Sequence, residues 1–322
     1  MSHPSPSRIR LRLLGTVPYE EALTRMRQWT AARHEAHKAT RAAPPPPLTS
    51  PKEAATTCPE PAGSPHPARY ALPNVVRGWA DPADAPRLGD EIWLLQHPPV
   101  FTLGLNARTE HLHDAGDIPV IPTERGGQIT YHGPGQIMAY LMLDLRHRKL
   151  GIRPLVDRVE EAIITCLAGY GIEAIRQDGA PGIYVRLNPP LSPPEPGQQD
   201  SRGLPIDRAH ASNPRASPTS PVSPTDIPSP TTGRRQKAVP AADVAKIASI
   251  GLKATHGFSY HGLALNGQMD LNPFLRINPC GFQNLAMTDV FHETGKRADI
   301  DLEVLALNLG RALQAAIEGS EG

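Results

Sequence analysis

Apolar positions along this chain recur with two periods, and the switches between them mark out its elements. Arg8 to Gly15 alternates basic and apolar residues and predicts a short edge strand. From Tyr19 to about His37 the period becomes helical, with Leu23, Met26 and Trp29 on one face. Glu91–Gln96 predicts a buried strand. In the next stretch, His97 to Gly104, the prolines impose an extended path into a second strand-like run. Pro119 to Pro122 reads as a short apolar link, and Ile137 to Leu145 is an apolar run of strand length. Pro154 to Tyr170 is the clearest helix: Pro154 suits a first turn, Leu155, Val159, Ile163 and Leu167 recur at fourth positions, and Gly171 stops it. Strands follow at 180–186, 244–252 and 258–266, the last two joined across His256-Gly257. Asp270 to Cys280 is irregular, and Asp301 to Ile317 closes as an amphipathic helix with Leu302, Leu305, Leu309 and Leu313 on one stripe. Strands outnumber helices without alternating regularly with them, which argues for an α+β fold with a mixed or antiparallel sheet.

Composition changes this picture in two places. Of 37 prolines in 322 residues, nine fall between Pro44 and Pro67 and twelve between Pro189 and Pro230. Both tracts are poor in large apolar residues and bury too little surface to offset the entropy of ordering. We read residues 44–88 and 188–242 as flexible insertions in a single catalytic domain spanning 1–322, the second lying inside a hairpin between strands. A net charge of +1 and 5% aromatic residues argue against nucleic-acid and membrane-surface partners. Cys58, Cys166 and Cys280 are odd in number and widely spaced, against a disulfide framework or a metal centre. With no apolar leader and no run of membrane-spanning length, the expected location is the cytoplasm.

One stretch resists both periods. Arg125-Gly-Gly-Gln-Ile-Thr-Tyr-His-Gly-Pro-Gly-Gln136 holds four glycines and a proline among polar side chains. Little bulk with much polarity describes a surface that a ligand approaches closely, feeding the strand behind it. Among reactive groups, Cys280 sits between Pro279 and Gly281 on a loop whose backbone N–H groups are expected to be free to donate. A nucleophilic thiol needs a partner that favours the thiolate. His97, His132, His256, His261, Lys246 and Lys253 are candidates, Lys246 standing out for its small and apolar neighbours. No nucleotide-phosphate loop is present, so transfer of an already activated group fits better than ATP-driven ligation.

These blocks together resemble the octanoyltransferases of lipoate biosynthesis. The resemblance lies in 125–136 and in Gln96-His-Pro-Pro-Val-Phe-Thr-Leu-Gly104, Gly179-Ala-Pro-Gly-Ile-Tyr-Val185, Lys246-Ile-Ala-Ser-Ile-Gly-Leu252, His261-Gly-Leu-Ala-Leu-Asn266 and Phe274-Leu-Arg-Ile-Asn-Pro-Cys-Gly281. It implies a mixed sheet flanked by helices, similar to the catalytic domain of biotin and lipoate protein ligases. It places an acyl-accepting cysteine at Cys280 and a thiol-activating lysine at Lys246. Substrate-binding segments fall on Arg125, Gly126, Gly127, Gln128, Ile129, Thr130, Tyr131 and His132, on Ser249, Ile250 and Gly251, and on Gly262, Leu263 and Ala264. It also implies octanoyl-acyl carrier protein as donor and no cofactor or metal. The implied acceptors are apo lipoyl domains of 2-oxoacid dehydrogenase E2 subunits and the glycine-cleavage H protein. Carrier domains being acidic, Arg146, His147, Arg148 and Lys149 are candidates for a docking patch. The rivals are an ATP-dependent lipoate or biotin ligase of the same fold and a cysteine thioester hydrolase using His132 or His261.

Overall fold

Gln136–Met142 is buried at all seven positions because the strand it forms is covered on both faces. Ile137, Ala139 and Leu141 point into one apolar core, and Met138, Tyr140 and Met142 into another. The computed structural model describes residues 8–42, 74–187, 243–282, 285–295 and 299–319. In chain order its elements are β1 (Arg10–Thr16), α1 (Tyr19–Ala42), β2 (Val75–Arg77), α2 (Ala85–Leu88), β3 (Glu91–Gln96), β4 (Val100–Leu103), β5 (Val120–Pro122), β6 (Ile129–His132) and β7 (Gln136–Met142). They continue as α3 (Ile152–Ala168), β8 (Ala174–Arg176), β9 (Ile183–Arg186), β10 (Val244–Thr255), β11 (Phe258–Asn266), β12 (Ala286–Met287), α4 (Val290–Glu293) and α5 (Leu302–Glu318).

Nine described strands make one sheet in the order β2-β1-β3-β7-β11-β10-β9-β8, with β12 pairing β10. The β1–β2, β1–β3 and β10–β12 pairs are parallel and the others antiparallel, so the sheet is mixed, as the α+β reading expects. Helices α3 and α5 pack on one face through Leu155, Val159, Ile163, Leu305, Leu309 and Leu313, and α1 covers the other through Leu23, Met26 and Trp29. Asp301 starts α5 by accepting from the N–H groups of Glu303 and Val304 at 3.0 and 3.1 Å.

The structure corrects three expectations. β1 is not an edge strand, because β2 lies outside it. β2, a turn at Pro82–Asp84 and α2 lie inside the region assigned to the first insertion; their apolar residues are too few to show a period, and pairing with β1 organises β2 while the turn and α2 pack on α1. The glycine stretch contains a strand, β6, which joins β4 and β5 in a separate three-stranded sheet. Residues 43–73 and 188–242 lie outside the described residues.

Candidate active site

A β-bulge decides which side of the sheet Lys246 faces. Lys246 pairs with Tyr184, but Ala248 pairs with Ile183, so Ile247 is an extra residue in β10. Ala245, Ile247 and Ala248 all face the α3–α5 core as a result. Strict alternation would put Lys246 on the face opposite to Ser249 and Gly251. The bulge puts all three on one face. Lys246 is completely buried there, its Nζ donating to the Pro181 carbonyl at 2.9 Å and lying 5.2 Å from the centre of the Tyr184 ring. Gly182 makes this possible: at φ +128° it holds a conformation that side chains rarely adopt, and a Cβ would fall 2.5 Å from Lys246 Cε.

Cys280 lies in a single 3-10 turn, Pro279–Gly281; its side chain falls outside the described residues, so the backbone locates it. The turn is pinned from both sides. Asn278 donates its backbone N–H to the His111 carbonyl at 2.8 Å, and its side chain bridges His113 Nε2 at 3.1 Å and His111 Nδ1 at 3.4 Å. Gly281 lies against the Gln128 side chain and His111 Nε2. Phe282 is buried with Ala180 and Tyr184, the tyrosine that overlies Lys246. The Cys280 turn thus stands between Gln128 and the Lys246 chamber. The N–H groups of Gly281 and Phe282, expected to be free for an oxyanion, close the turn onto Asn278 and Pro279 instead, at 2.9 and 3.1 Å.

Beside this turn opens a cavity that reaches solvent. Half-buried Gly127, Gln128, Ser249, Ile250 and Gly251 form its mouth. Buried Arg125, Ile129, Thr130, His132, Gly262, Leu263 and Ala264 line it further in, together with Tyr19, Met138, Tyr140 and His261. Two of the expected segment residues do not line it. Tyr131 points the other way, packed on Phe101 and Phe274, because neighbouring strand residues face opposite sides. Gly126 ties the segment to β10 by donating to the Leu252 carbonyl at 3.2 Å. Sequence reasoning overlooked Tyr19, Met138 and Tyr140, whose positions in α1 and β7 read as ordinary core.

Arg125 spends much of its guanidinium on the protein. Nη2 donates to the Thr102 carbonyl at 2.6 Å and to Thr102 Oγ1 at 2.8 Å, and Nη1 donates to the Gly126 carbonyl at 2.9 Å. Thr102 Oγ1, already an acceptor, gives its own proton to His132 Nε2 at 3.2 Å. His132 Nδ1–H donates to Gln136 Oε1 at 2.7 Å, and Gln136 donates in turn to Asn266 at 2.9 Å. Burial holds the His132 pKa well below the usual range, and with its lone pair occupied the ring is a buttress rather than a base. His97 is similar: Nδ1–H donates to Val17 O at 2.6 Å, Nε2 accepts from Tyr140 OH at 2.7 Å, and burial lowers its pKa to about 4. His256 stacks on His34 at the far tip of the β10–β11 hairpin, ring centres 4.0 Å apart. Lys253 is half-buried seven residues along β10 from Lys246. Of the candidate thiol partners, Lys246 alone shares the Tyr184–Phe282 neighbourhood of the Cys280 turn.

The candidate docking run fares less well. Arg148 is buried in an ion pair with Asp90, and Arg146 packs on Gly257 at the hairpin tip. That tip is about 30 Å along β10 from Lys246 at roughly 3.3 Å per residue. Only Arg146, His147 and Lys149 remain exposed.

Residues 81–307 match the model of the lipoyl protein ligase A/B catalytic domain. An octanoyltransferase from Pseudomonas syringae pv. tomato is 40% identical over 236 residues, which is 72% of this chain and 82% of that protein. One from Cellvibrio japonicus is 40% identical over 231 residues, 71% of this chain and 80% of that protein. Among solved structures, a bipartite lipoate protein ligase from Thermoplasma acidophilum aligns with TM-score 0.48 and 11% identity, covering 96% of this chain and 84% of that one.

Proposed function

Since the chain belongs to the octanoyltransferases of the lipoyl protein ligase A/B catalytic-domain family, it is an acyltransferase of protein lipoylation, and we propose that it works through an octanoyl thioester on Cys280. The observation that carries this reading is the bulge in β10. It turns a fully buried lysine to the same face of the sheet as the cavity residues Ser249 and Gly251, against Tyr184, which packs with Phe282 two residues beyond Cys280.

In the proposed cycle Lys246 Nζ takes the Cys280 thiol proton, and the thiolate attacks the thioester carbonyl of octanoyl-acyl carrier protein. The bond from the acyl carbon to the carrier sulfur breaks, and the carrier thiolate leaves with the proton held by Lys246. The ε-amine of an acceptor lysine then attacks the Cys280 thioester and passes a proton to Lys246. The carbon–sulfur bond breaks, and Cys280 regains its proton. A thioester becomes an amide, a downhill exchange that consumes no nucleotide. Gly127, Gln128 and Ser249 to Gly251 receive the thioester end, while Ile129, Thr130, Gly262, Leu263 and Ala264 enclose the acyl chain; Arg125 and His132 hold these walls in place. The donor is octanoyl-acyl carrier protein. The acceptors are apo lipoyl domains of 2-oxoacid dehydrogenase E2 subunits and the glycine-cleavage H protein. The setting is the cytoplasm, in keeping with three widely spaced cysteines; no described helix is long and apolar enough to cross a membrane.

Incubation with octanoyl-acyl carrier protein followed by intact-mass measurement tests the cycle. A hydroxylamine-labile octanoyl adduct that is lost in Cys280→Ala is expected, and its release by an apo lipoyl domain completes the reaction. No adduct on the wild-type protein overturns the proposal. An adduct released equally fast without any lipoyl domain would identify a hydrolase, and an adduct formed only with ATP and free acid would identify a ligase.

A further inference from the structure

The closed turn at Pro279–Gly281 withdraws two backbone donors from any oxyanion formed at Cys280. Attack on a thioester turns its carbonyl oxygen into an alkoxide, and a fixed N–H or O–H aimed at that oxygen stabilises the tetrahedral species. The N–H groups of Gly281 and Phe282 are engaged on Asn278 and Pro279. The cations of the site are engaged too. Arg125 donates to Thr102 and Gly126, and Lys246 donates to the Pro181 carbonyl and, in the proposed cycle, handles the thiol proton.

One imidazole stands against this turn. Residues 111–113 run antiparallel to 276–278: Leu112 bridges Ile277, Asn278 donates its N–H to the His111 carbonyl, and His113 donates its own to the Arg276 carbonyl, both at 2.8 Å. This pairing brings the half-buried His111 ring beside Gly281. Gly281 has φ +79° and no side chain, and the point where a Cβ would stand lies 3.4 Å from His111 Nε2. The other ring nitrogen settles where the proton sits. His111 Nδ1 lies 3.4 Å from Asn278 Nδ2, and an amide nitrogen only donates, so Nδ1 is the acceptor. Asn278 Oδ1 meanwhile accepts from His113 Nε2 at 3.1 Å, which satisfies both ends of the amide. The neutral His111 ring therefore carries its proton on Nε2, the nitrogen beside Gly281. Nε2 has no hydrogen-bond partner among the described residues.

We propose that His111 is a catalytic residue whose Nε2–H donates to the oxyanion formed when the Cys280 thiolate attacks the octanoyl thioester. The proposal rests on the octanoyl-transfer reading and deepens it. In the attack the bond from the Cys280 sulfur to the acyl carbon forms, and the carbonyl π electrons move to the oxygen, where the His111 N–H meets them. When the carbon–oxygen double bond reforms, the bond to the carrier sulfur breaks. His111 neither gives up nor gains a proton. The same donor serves the second tetrahedral species, formed when the acceptor amine attacks. Asn278 acts behind it as a positioning residue, holding both the ring and the turn that bears the nucleophile.

The test uses the full-length protein and reads two rates at Cys280 by quenched intact mass: acylation by octanoyl-acyl carrier protein, and alkylation by iodoacetamide. Alkylation displaces iodide from a saturated carbon and develops no oxyanion, so it reports the thiolate and the turn but not the donor. His111→Ala should acylate about a hundred- to a thousandfold more slowly than wild type, the cost of one lost oxyanion donor. Its alkylation should stay within about threefold of wild type. His111→Gln keeps an N–H on an arm of similar reach and should acylate at least about tenfold faster than His111→Ala. Acylation by His111→Ala within about threefold of wild type overturns the proposal. So does a parallel fall in both rates, which would show His111 shaping the turn or its thiolate, and so does a His111→Gln enzyme as slow as His111→Ala. If His111→Ala does not fold, His111→Phe, which keeps a ring and removes the N–H, takes its place under the same criteria. A wild-type protein that forms no octanoyl adduct refutes the octanoyl-transfer reading instead, which keeps the two failures distinct.

Discussion

Gly182→Ala tests the placement of Lys246 without altering the lysine. The new Cβ would lie 2.5 Å from Lys246 Cε, 2.9 Å from its Nζ and 2.6 Å from the Ala248 carbonyl oxygen. The lysine can swing aside, but Ala248 is paired with Ile183 in the sheet, and its oxygen would have to retreat to the 3.4 Å of ordinary contact. Alanine at φ +128° adds about 1–3 kcal/mol of backbone strain. Overpacking adds about 1–3 kcal/mol more. At roughly 2–4 °C per kcal/mol for a chain of this size, the melting temperature should fall by about 5–20 °C. The larger effect should be kinetic. An ammonium or amine moved by about 1 Å from its working position costs on the order of a hundredfold in rate. Stopped-flow or quenched intact-mass measurement of acylation on the folded fraction reads this directly. Gly171→Ala is the control: Gly171 has φ +74° but nothing within 4 Å of a new Cβ, so it carries the strain without the collision. It should lose stability and keep the acylation rate. A Gly182→Ala enzyme that acylates within about twofold of wild type refutes the assignment of Lys246.

Glu91 is fully buried and accepts from Arg12 Nε and Nη2, both at 2.7 Å, and from Trp93 Nε1 at 2.8 Å. Glu91→Ala strands the buried guanidinium and should cost about 3–5 kcal/mol by urea unfolding, with the acylation rate per folded molecule unchanged. Burial raises the Cys166 thiol to about 12, so iodoacetamide should modify Cys280 at neutral pH and reach Cys166 only after denaturation, as peptide mapping would show. His97 has its pKa lowered to about 4 from 6.5, so the folded state binds fewer protons than the unfolded chain between those values. Its contribution to stability is complete above pH 6.5 and is lost as pH falls toward 4, by about 3 kcal/mol. Melting temperatures of wild type and His97→Gln should therefore converge across that window, and parallel curves would contradict the neutral buried ring.

Legibility in the sequence followed the strength of the local pattern. α3, β7, β10, β11 and α5 were readable because each carries a long period and, for α3 and α5, a recognisable terminus. β2 and α2 were not, since three or four residues hold no period; β2 owes its form to pairing with β1, and α2 packs on α1. β6 was hidden by the glycines around it, which speak for a loop until β4 supplies hydrogen-bond partners. Within the site, the segments flanking the cavity were legible as motifs, while Tyr131 was placed with them by adjacency although its strand turns it away. Met138 and Tyr140 were invisible as cavity residues, because a wholly apolar strand does not reveal which of its two buried faces borders a hollow, and Tyr19 at the start of α1 read as one more core position.

The sequence by itself narrowed the candidate chemistry to a loop thiol, six possible partners and a glycine-rich segment, because these are local properties that survive any arrangement of the chain. It also determined an α+β fold with a mixed or antiparallel sheet, through the periods of its apolar positions. Only the tertiary structure decided on which face Lys246 lies, since a strand's sidedness reverses with a single inserted residue and the bulge at Ile247 exists only against β9. Only it decided that His261 leaves the core for the cavity, because a left-handed backbone in mid-strand is enforced by packing and carries no mark in the residues themselves.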